Sequence, residues 1–362
     1  MKNKVGFDFV CERGFTELEL NSAGEIRPCC SSWTEDIVFG NIFHDDVDSI
    51  INSEKAKEFR RSILNKTYTG CKADICVGAH PIEEEKLKSI CDEEGRVSKF
   101  CELFNFGHDP HCNLKCIICR DHHMTNTEEQ VEEFDSLIPS HFLPLLKDAQ
   151  KIRILCSGEL FASKHSRNLA KAIATTYPEI KFVIGSNGVL FDEANCKELD
   201  ILDKLEEVTI SVHAVTEKTY NQIAVGGDYK RVWKNIEWLA SLKRENRIKF
   251  VGLVFTLSKY NYKEMAKFLK KCKELDLEGV FFEYRPTGSE MAKHYKDMAV
   301  WEPENKEYNK FVKILSDPIF DSVHCSLSHQ LQTIRKKEQT KSNFIDKILI
   351  FFTQKKMNKK TR

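Results

Sequence analysis

Three cysteines within eight residues constrain this chain more than any other feature. Cys112, Cys116 and Cys119 lie in HDPHCNLKCIICR (108–120), spaced C-x3-C-x2-C. Three thiolates on one short loop suit three corners of a cubic iron–sulfur cluster and leave the fourth iron without a protein ligand, open to a small molecule. With 14 cysteines in 362 residues, chance alone gives such a triplet roughly 0.02 times. Structural zinc takes four protein ligands, commonly in C-x2-C pairs. A lone triplet followed by Arg120, His122 and His123 fits that pattern less well.

Lysine plus arginine equal aspartate plus glutamate, 55 each, so no polyanionic partner is advertised and nucleic acid is not expected. The N-terminus, MKNKVGFDFVCERG, has no apolar run of signal-peptide length. No stretch reaches the roughly eighteen apolar residues of a spanning helix. A cytoplasmic protein is expected, and there thiols stay reduced. Ten of the cysteines fall in the first 119 residues, which places metal chemistry toward the N-terminal end.

In residues 1–100, Cys11 is followed by twelve residues and Gly24, then by four residues and the pair Cys29 and Cys30. NSAGEIRPCC reads as a turn between two short strands, with Gly24 at a positive-φ position. DSIINSEKAKEFRRSILN keeps helical spacing, and Cys71 and Cys76 close the segment. Four dispersed cysteines can hold a second metal centre with complete protein ligation, iron–sulfur or structural zinc. Residues 78–100 are charged and without a strong period, and Cys91 and Cys101 beside them read as spare thiols.

Residues 101–290 alternate short apolar runs with helical ones, the pattern of βα units on a parallel sheet. Strands are expected at 102–106, 151–156, 180–185, 206–212, 249–256 and 278–284, and six units fit a partial (β/α)6 TIM-type barrel. Asn261 with Glu264 reads as a capping box, followed by a core stripe of Met265, Phe268, Leu269, Cys272 and Leu275. Function in such barrels collects at the C-terminal strand ends. There stand Ser157-Gly158-Glu159, then Asn187-Gly188, then Ser211 with His213, then Arg285. Gly226 and Gly227 read as a turn between helices. Residues 291–362 form an expected helical extension with a basic tail: 330–362 hold ten lysines and arginines against Glu338 and Asp346. That tail suits either capping of the barrel or weak contact with an anionic membrane surface.

The triplet and its leading strand resemble the cluster loop of the radical S-adenosylmethionine (radical SAM) enzymes. The pattern Cys11-x12-Gly24-x4-Cys29, the GNI turn, the NS-x5-FR helix and the late cysteine pair resemble the SPASM/twitch auxiliary-cluster domain. The fold implied is α/β: a partial (β/α)6 barrel with a small cysteine-rich α+β auxiliary domain before it. The resemblance implies a [4Fe-4S] cluster on Cys112, Cys116 and Cys119 that binds S-adenosyl-L-methionine (SAM), and an auxiliary [4Fe-4S] cluster on Cys11, Cys29, Cys71 and Cys76, with Cys30 able to replace Cys29. It also implies that Ser157, Gly158 and Glu159 match the family's GGE motif, and that Asn187 and Ser211 contact SAM. The sequence departs from the family pattern at Ile118, where an aromatic residue is common, at Ser157, and at His213, which replaces an acid.

The activity implied is reductive cleavage of SAM to a 5′-deoxyadenosyl radical that abstracts hydrogen from a substrate, with a reductant such as flavodoxin or ferredoxin. A peptide or protein is the first expected substrate and a sugar of surface-glycan metabolism the second. The reading from another class is a non-catalytic iron–sulfur or zinc protein that binds partners.

Overall fold

The computed structural model describes residues 7–340, apart from 31, 32, 35, 73–75, 77, 78, 100, 156 and 157. They form two compact units. The first comprises the chain up to Lys115, His122–Ser211 and Gly226–Val251; the second comprises Cys116–Asp121, Val212–Val225 and the chain from Gly252 on. Along the chain the strands are β1 (Glu17–Leu20), β2 (Glu25–Pro28), β3 (Gly40–Asn41), β4 (Leu103–Phe106), β5 (Lys115–Cys116), β6 (Lys151–Leu155), β7 (Lys181–Ser186), β8 (Leu205–Ser211), β9 (Ala224–Val225), β10 (Phe250–Leu257), β11 (Glu278–Glu283) and β12 (Cys325–Leu327). The six strands expected for the barrel are β4, β6, β7, β8, β10 and β11, each matched to within a residue. The protein is α/β with the strand order and parallel sense of a partial (β/α)6 barrel.

In the first unit the sheet runs β3-β2-β1-β4-β6-β7-β8. It is parallel from β1 to β8 and antiparallel at β1-β2 and β2-β3. The cysteine-rich segment is therefore joined to the first barrel strand, Glu17–Leu20 pairing with Leu103–Phe106. Side chains alternate across the sheet. Phe104, Ile152, Phe182, Ile184, Val208 and Ile210 are fully buried, as is the apolar stripe Leu169, Ala170 and Ile173 of helix Lys164–Thr176. Their neighbours along the strands, Glu19, Asn105, Arg153, Val183 and Glu207, stand in one cross-strand register on the other face.

Gly24 turns β1 into β2 with φ +78°, and a Cβ there would meet the Phe43 ring at 2.3 Å, so glycine is required on both counts. The helical run expected after β3 is broken into Val47–Ile51 and Glu54–Leu64, because Ser53 caps the second helix by accepting from Ala56 N–H. The aperiodic stretch after Cys76 is held by polar bonds as well as by buried Ile90 and Val97. Buried Arg60 donates to the carbonyls of Gly95 (2.9 Å) and Ile51 (2.5 Å), and Asn52 exchanges two hydrogen bonds with the Val97 backbone.

In the second unit β10, β11 and β12 are parallel neighbours. β12 adds a strand within the region expected to be a helical extension, and a helix follows over 329–340. Helix Met265–Glu274 buries Met265, Phe268, Leu269 and Cys272 of the expected stripe, while Leu275 falls at the C-cap and is half-buried. The capping box expected at Asn261 and Glu264 is not formed. Asn261 is fully buried and bonds Ser258 N–H, His213 O and Thr256 O, while Glu264 accepts from Val215 N–H, Thr216 and Thr219. Tertiary partners outcompete the local cap. Among the described residues no helix is long and apolar enough to cross a membrane; the basic tail from 341 onward lies outside the described residues.

Phe268 is fully buried, its ring 4.8 Å from that of Phe255 and 5.8 Å from that of Phe281. Phe268→Ala is expected to cost about 3–5 kcal/mol, read as a lowered urea midpoint of the cluster-free protein.

Candidate active site

The chain leaves β4 through Gly107 and His108 into the cysteine loop, and the tips of β6 and β7 hold its first part. Gly158 lies flat on the loop backbone: a Cβ would stand 2.3 Å from His111 O and 2.6 Å from Asp109 O. The next amide, Glu159 N–H, donates to His111 O at 2.7 Å. Buried Asp109 accepts from Ser163, Ser166 (2.5 Å), His111 N–H (3.0 Å) and Asn126 (2.9 Å). Burial works to raise its carboxyl, but these donors outweigh it and hold it below the ordinary value.

Glu159 is itself buried, with one oxygen on Asn187 N–H (2.7 Å) and the other on Ser186 Oγ (2.8 Å). Burial pushes its carboxyl up to about 7 against those hydrogen bonds. Asn187 Nδ2 in turn reaches Asn113 Oδ1 at 2.9 Å and Cys112 Sγ at 3.9 Å, and Leu114 N–H points at the same sulfur at 3.4 Å. Cys112, Gly158, Glu159 and Asn187 are thus joined in the first unit, with N–H groups aimed at a sulfur as suits a thiolate ligand. Ser211 ends β8 half-buried. Ser157 lies outside the described residues.

In the second unit Cys116 and Cys119 share a turn, Cys119 N–H donating to Cys116 O at 3.2 Å. Two contacts fix this turn. Thr287 Oγ1 donates to Cys119 O at 2.7 Å, and Asp121 accepts from Glu290 N–H (3.0 Å) and Met291 N–H (2.8 Å) at the start of helix Ser289–Lys293. Gly288 leaves room for that carboxylate, since a Cβ would stand 2.1 Å from it. Asp121 was not singled out in the sequence because its partners are backbone amides some 170 positions away. Ile118 is buried. His213 has φ +62°, and its Nδ1 accepts Thr256 N–H at 3.0 Å. Burial lowers its imidazole to about 4, so it is neutral and completes the β10 edge. Arg285 is exposed.

The N-terminal cysteines surround Tyr68, which has φ +52°. Burial and the neighbouring thiols of Cys11, Cys71 and Cys76 raise its hydroxyl. Burial also raises Cys11 and Cys29, against N–H groups of His80, Arg13 and Gly14 at Cys11 and of Cys30 at Cys29. Such amide-rimmed sulfurs fit cluster ligands. Cys29 is further fixed through its backbone, by Glu17 O and by Asn105 Nδ2 at 2.9 Å. Among the described residues no three cysteine, histidine or acidic side chains converge on a metal position. Cys101 is buried and Cys91 half-buried, as spare thiols would be.

An α/β barrel sheet with a three-cysteine loop after its first barrel strand, and a separate four-cysteine segment, defines a class of iron–sulfur enzymes that open one iron to a ligand. Residues 108–280 match the model of the radical SAM superfamily, and residues 11–76 match that of SPASM, an iron–sulfur cluster-binding domain. The chain belongs to the radical SAM superfamily and carries a SPASM domain ahead of its barrel. It is an enzyme, and its cofactors are SAM with a [4Fe-4S] cluster and auxiliary iron–sulfur chemistry. No curated protein matches it. Among solved structures it resembles Streptococcus suis SuiB bound to precursor peptide SuiA, with 14% identity over 89% of this chain and 73% of that one, TM-score 0.45. It also resembles anSMEcpe with bound AdoMet and Cp18Cys peptide, with 17% identity over 62% of each chain, TM-score 0.39, and archaeal TYW1, with 18% identity over 55% and 68%, TM-score 0.29. At these scores no substrate is transferred from them.

The Glu159 carboxyl predicts a pH dependence of stability. Its ordinary value is 4.5 and its folded value about 7, so the folded state holds the proton more tightly. The stabilisation is complete below 4.5 and is lost as pH rises through 7. Between pH 5 and 8 the wild type should therefore lose roughly 1–3 kcal/mol more than Glu159→Gln in urea titrations without SAM. Parallel pH profiles for the two proteins would show that the carboxyl is not raised.

Proposed function

We propose that this radical SAM enzyme acts on a peptide or protein, with the N-terminal cysteines holding an auxiliary [4Fe-4S] cluster. The observation that carries the reading is the pairing of β1 with β4, which puts the SPASM segment and the inner face of the barrel sheet on one continuous wall. An extended peptide suits such a wall, which offers side chains from five strands in register, four of them polar.

Cys112, Cys116 and Cys119 would hold the catalytic cluster, and Cys11, Cys29, Cys71 and Cys76 the auxiliary one. Bound there, the cluster and SAM supply reductive cleavage to a 5′-deoxyadenosyl radical, which takes a hydrogen atom from the substrate. The chain's own residues orient and hold. Gly158 admits the loop to the β6 tip, and Glu159 fixes the Asn187 backbone so that the Asn187 amide stands beside Cys112 and Asn113. With Ser211, these residues are the proposed contacts to SAM. A low-potential flavodoxin or ferredoxin in the cytoplasm would deliver the electron.

Anaerobic protein loaded with iron and sulfide, given SAM and dithionite, is expected to form 5′-deoxyadenosine, and a Cys112→Ala, Cys116→Ala, Cys119→Ala variant to form none above background. Equal yields from both would reject the assignment of the triplet. For the substrate class, a short peptide encoded beside the gene, made in deuterated medium, should pass deuterium into 5′-deoxyadenosine. An active enzyme that takes deuterium only from a sugar would reject the peptide reading.

Iron content tests the second cluster. The loaded wild type should hold about eight irons, two cubes, and Cys71→Ala about four. Cys30→Ala should keep the wild-type value. Zinc in place of the second set of irons would overturn the auxiliary assignment.

A further inference from the structure

The inner face of the first unit's sheet borders a cavity of about 620 Å³. One wall is the cysteine-rich segment, with Arg13, Glu19 and Trp33; the other is the barrel strands, with Asn105, Arg153 and Glu207. Arg13 is nine-tenths buried and its guanidinium stacks over Trp33, 4.5 Å from the ring centre. Its Nη2 donates to Glu17 Oε2 at 2.6 Å. Arg153 donates through Nη1 to Asn105 Oδ1 at 3.1 Å, and the same nitrogen lies 3.8 Å from that Glu17 oxygen.

Two guanidiniums therefore share one carboxylate. Among the described residues the Nε of Arg13 is buried without a partner and Arg153 has acceptors only at Nη1. A desolvated guanidinium with vacant donors is costly until an anion meets it, and the planar fork matches a carboxylate in bidentate fashion. Asn105, held by Cys29 O, keeps the Arg153 head from swinging away. Glu19 and Glu207 on the same lining set a limit. They disfavour a phosphate or a run of acids, and they can accept N–H groups of a peptide beside the single carboxylate.

Resting on the peptide reading above, we propose that this cavity is the substrate site, that it selects a peptide segment bearing one acidic side chain, and that Arg153 is the residue that takes the carboxylate, with Arg13 behind it. Arg153 is a specificity residue in this scheme: its guanidinium is held by Asn105 and Glu17, and the Cys30 thiol lines the same cavity. The substrate would meet the wall between the auxiliary segment and the barrel, with its acidic residue at β6 and its backbone toward β8.

The test uses the loaded enzyme with SAM and three blocked pentapeptides, acetyl-Ala-Ala-X-Ala-Ala-amide with X as Glu, Gln or Lys, together with glutarate, in equilibrium dialysis. Wild type is compared with Arg153→Gln and Arg153→Lys, each checked for unchanged circular dichroism and iron content. The wild type should bind the Glu peptide about tenfold more tightly than the Gln peptide. Arg153→Gln should lose that preference and Arg153→Lys should keep part of it. Equal binding of Glu and Gln peptides by the wild type, or an unchanged preference in folded Arg153→Gln, would overturn the proposal, as would failure of every probe to bind. Glutarate binding that depends on Arg153, with no peptide bound, would keep the carboxylate site and reject the peptide reading.

Discussion

The close seat of Gly158 on the backbone of His111 and Asp109 is the constraint on which the first cysteine depends. With 2.3 Å between a would-be Cβ and His111 O, any larger residue would lift the loop off the β6 tip. That would break the hydrogen bond from Glu159 N–H to His111 O and withdraw Asn187 from Cys112. Between Gly107 and Leu114 the loop has no helix or strand of its own. Its conformation is instead imposed by a glycine, by an aspartate with four donors, and by a strand tip that is already rigid.

Below that seat lies a second buried polar chain that works in the same direction. His165 Nδ1 pairs with Asp135 Oδ1 at 2.7 Å, and the two Nε2 atoms of His165 and His108 are 2.8 Å apart. If Asp135 takes the Nδ1 proton of His165, the shared hydrogen between the rings comes from His108. The Nδ1 of His108 is then a bare acceptor, and among the described residues it has no partner. Burial, with His165 beside it, lowers the His108 imidazole to about 3, so the unpaired nitrogen stays unprotonated. The rings of Phe106, Phe134 and Phe142 pack around it, and the residue that starts the cysteine loop is locked between strand and helix.

What was legible in the sequence follows from where the information lies. Parallel strands buried between layers read as continuous apolar runs, and each barrel strand was found to within a residue. The stripe through Cys272 and the glycine turn at Gly24 are local patterns and were equally plain. The partner of β1 was not legible, because Glu17–Leu20 pairs with a strand more than eighty positions on and nothing local marks the register. Asn261 and Glu264 look like a cap and serve as struts for His213, Val215 and Thr216. Asp121 gives no motif at all, since it caps a helix from a distant loop. The cysteines were visible by spacing; what holds their loops in place was not.

The order of the two metal-binding segments has a structural consequence. Because the cysteine-rich segment comes first, its hairpin can lie beside β4 as a further strand, and the alternation that buries Phe104 outward turns Asn105 inward toward Cys29 O. One residue of shift would exchange the two faces. The same register sets Glu17 between Arg13 and Arg153, so the charges of the inner wall are shared across the junction of SPASM segment and barrel. A substrate that engages Arg153 would thereby be read by a side chain tied, through Asn105, to the backbone of Cys29, one of the proposed auxiliary ligands. Recognition at Arg153 and the proposed auxiliary site would then be joined by hydrogen bonds across one sheet rather than carried on two modules joined by a tether.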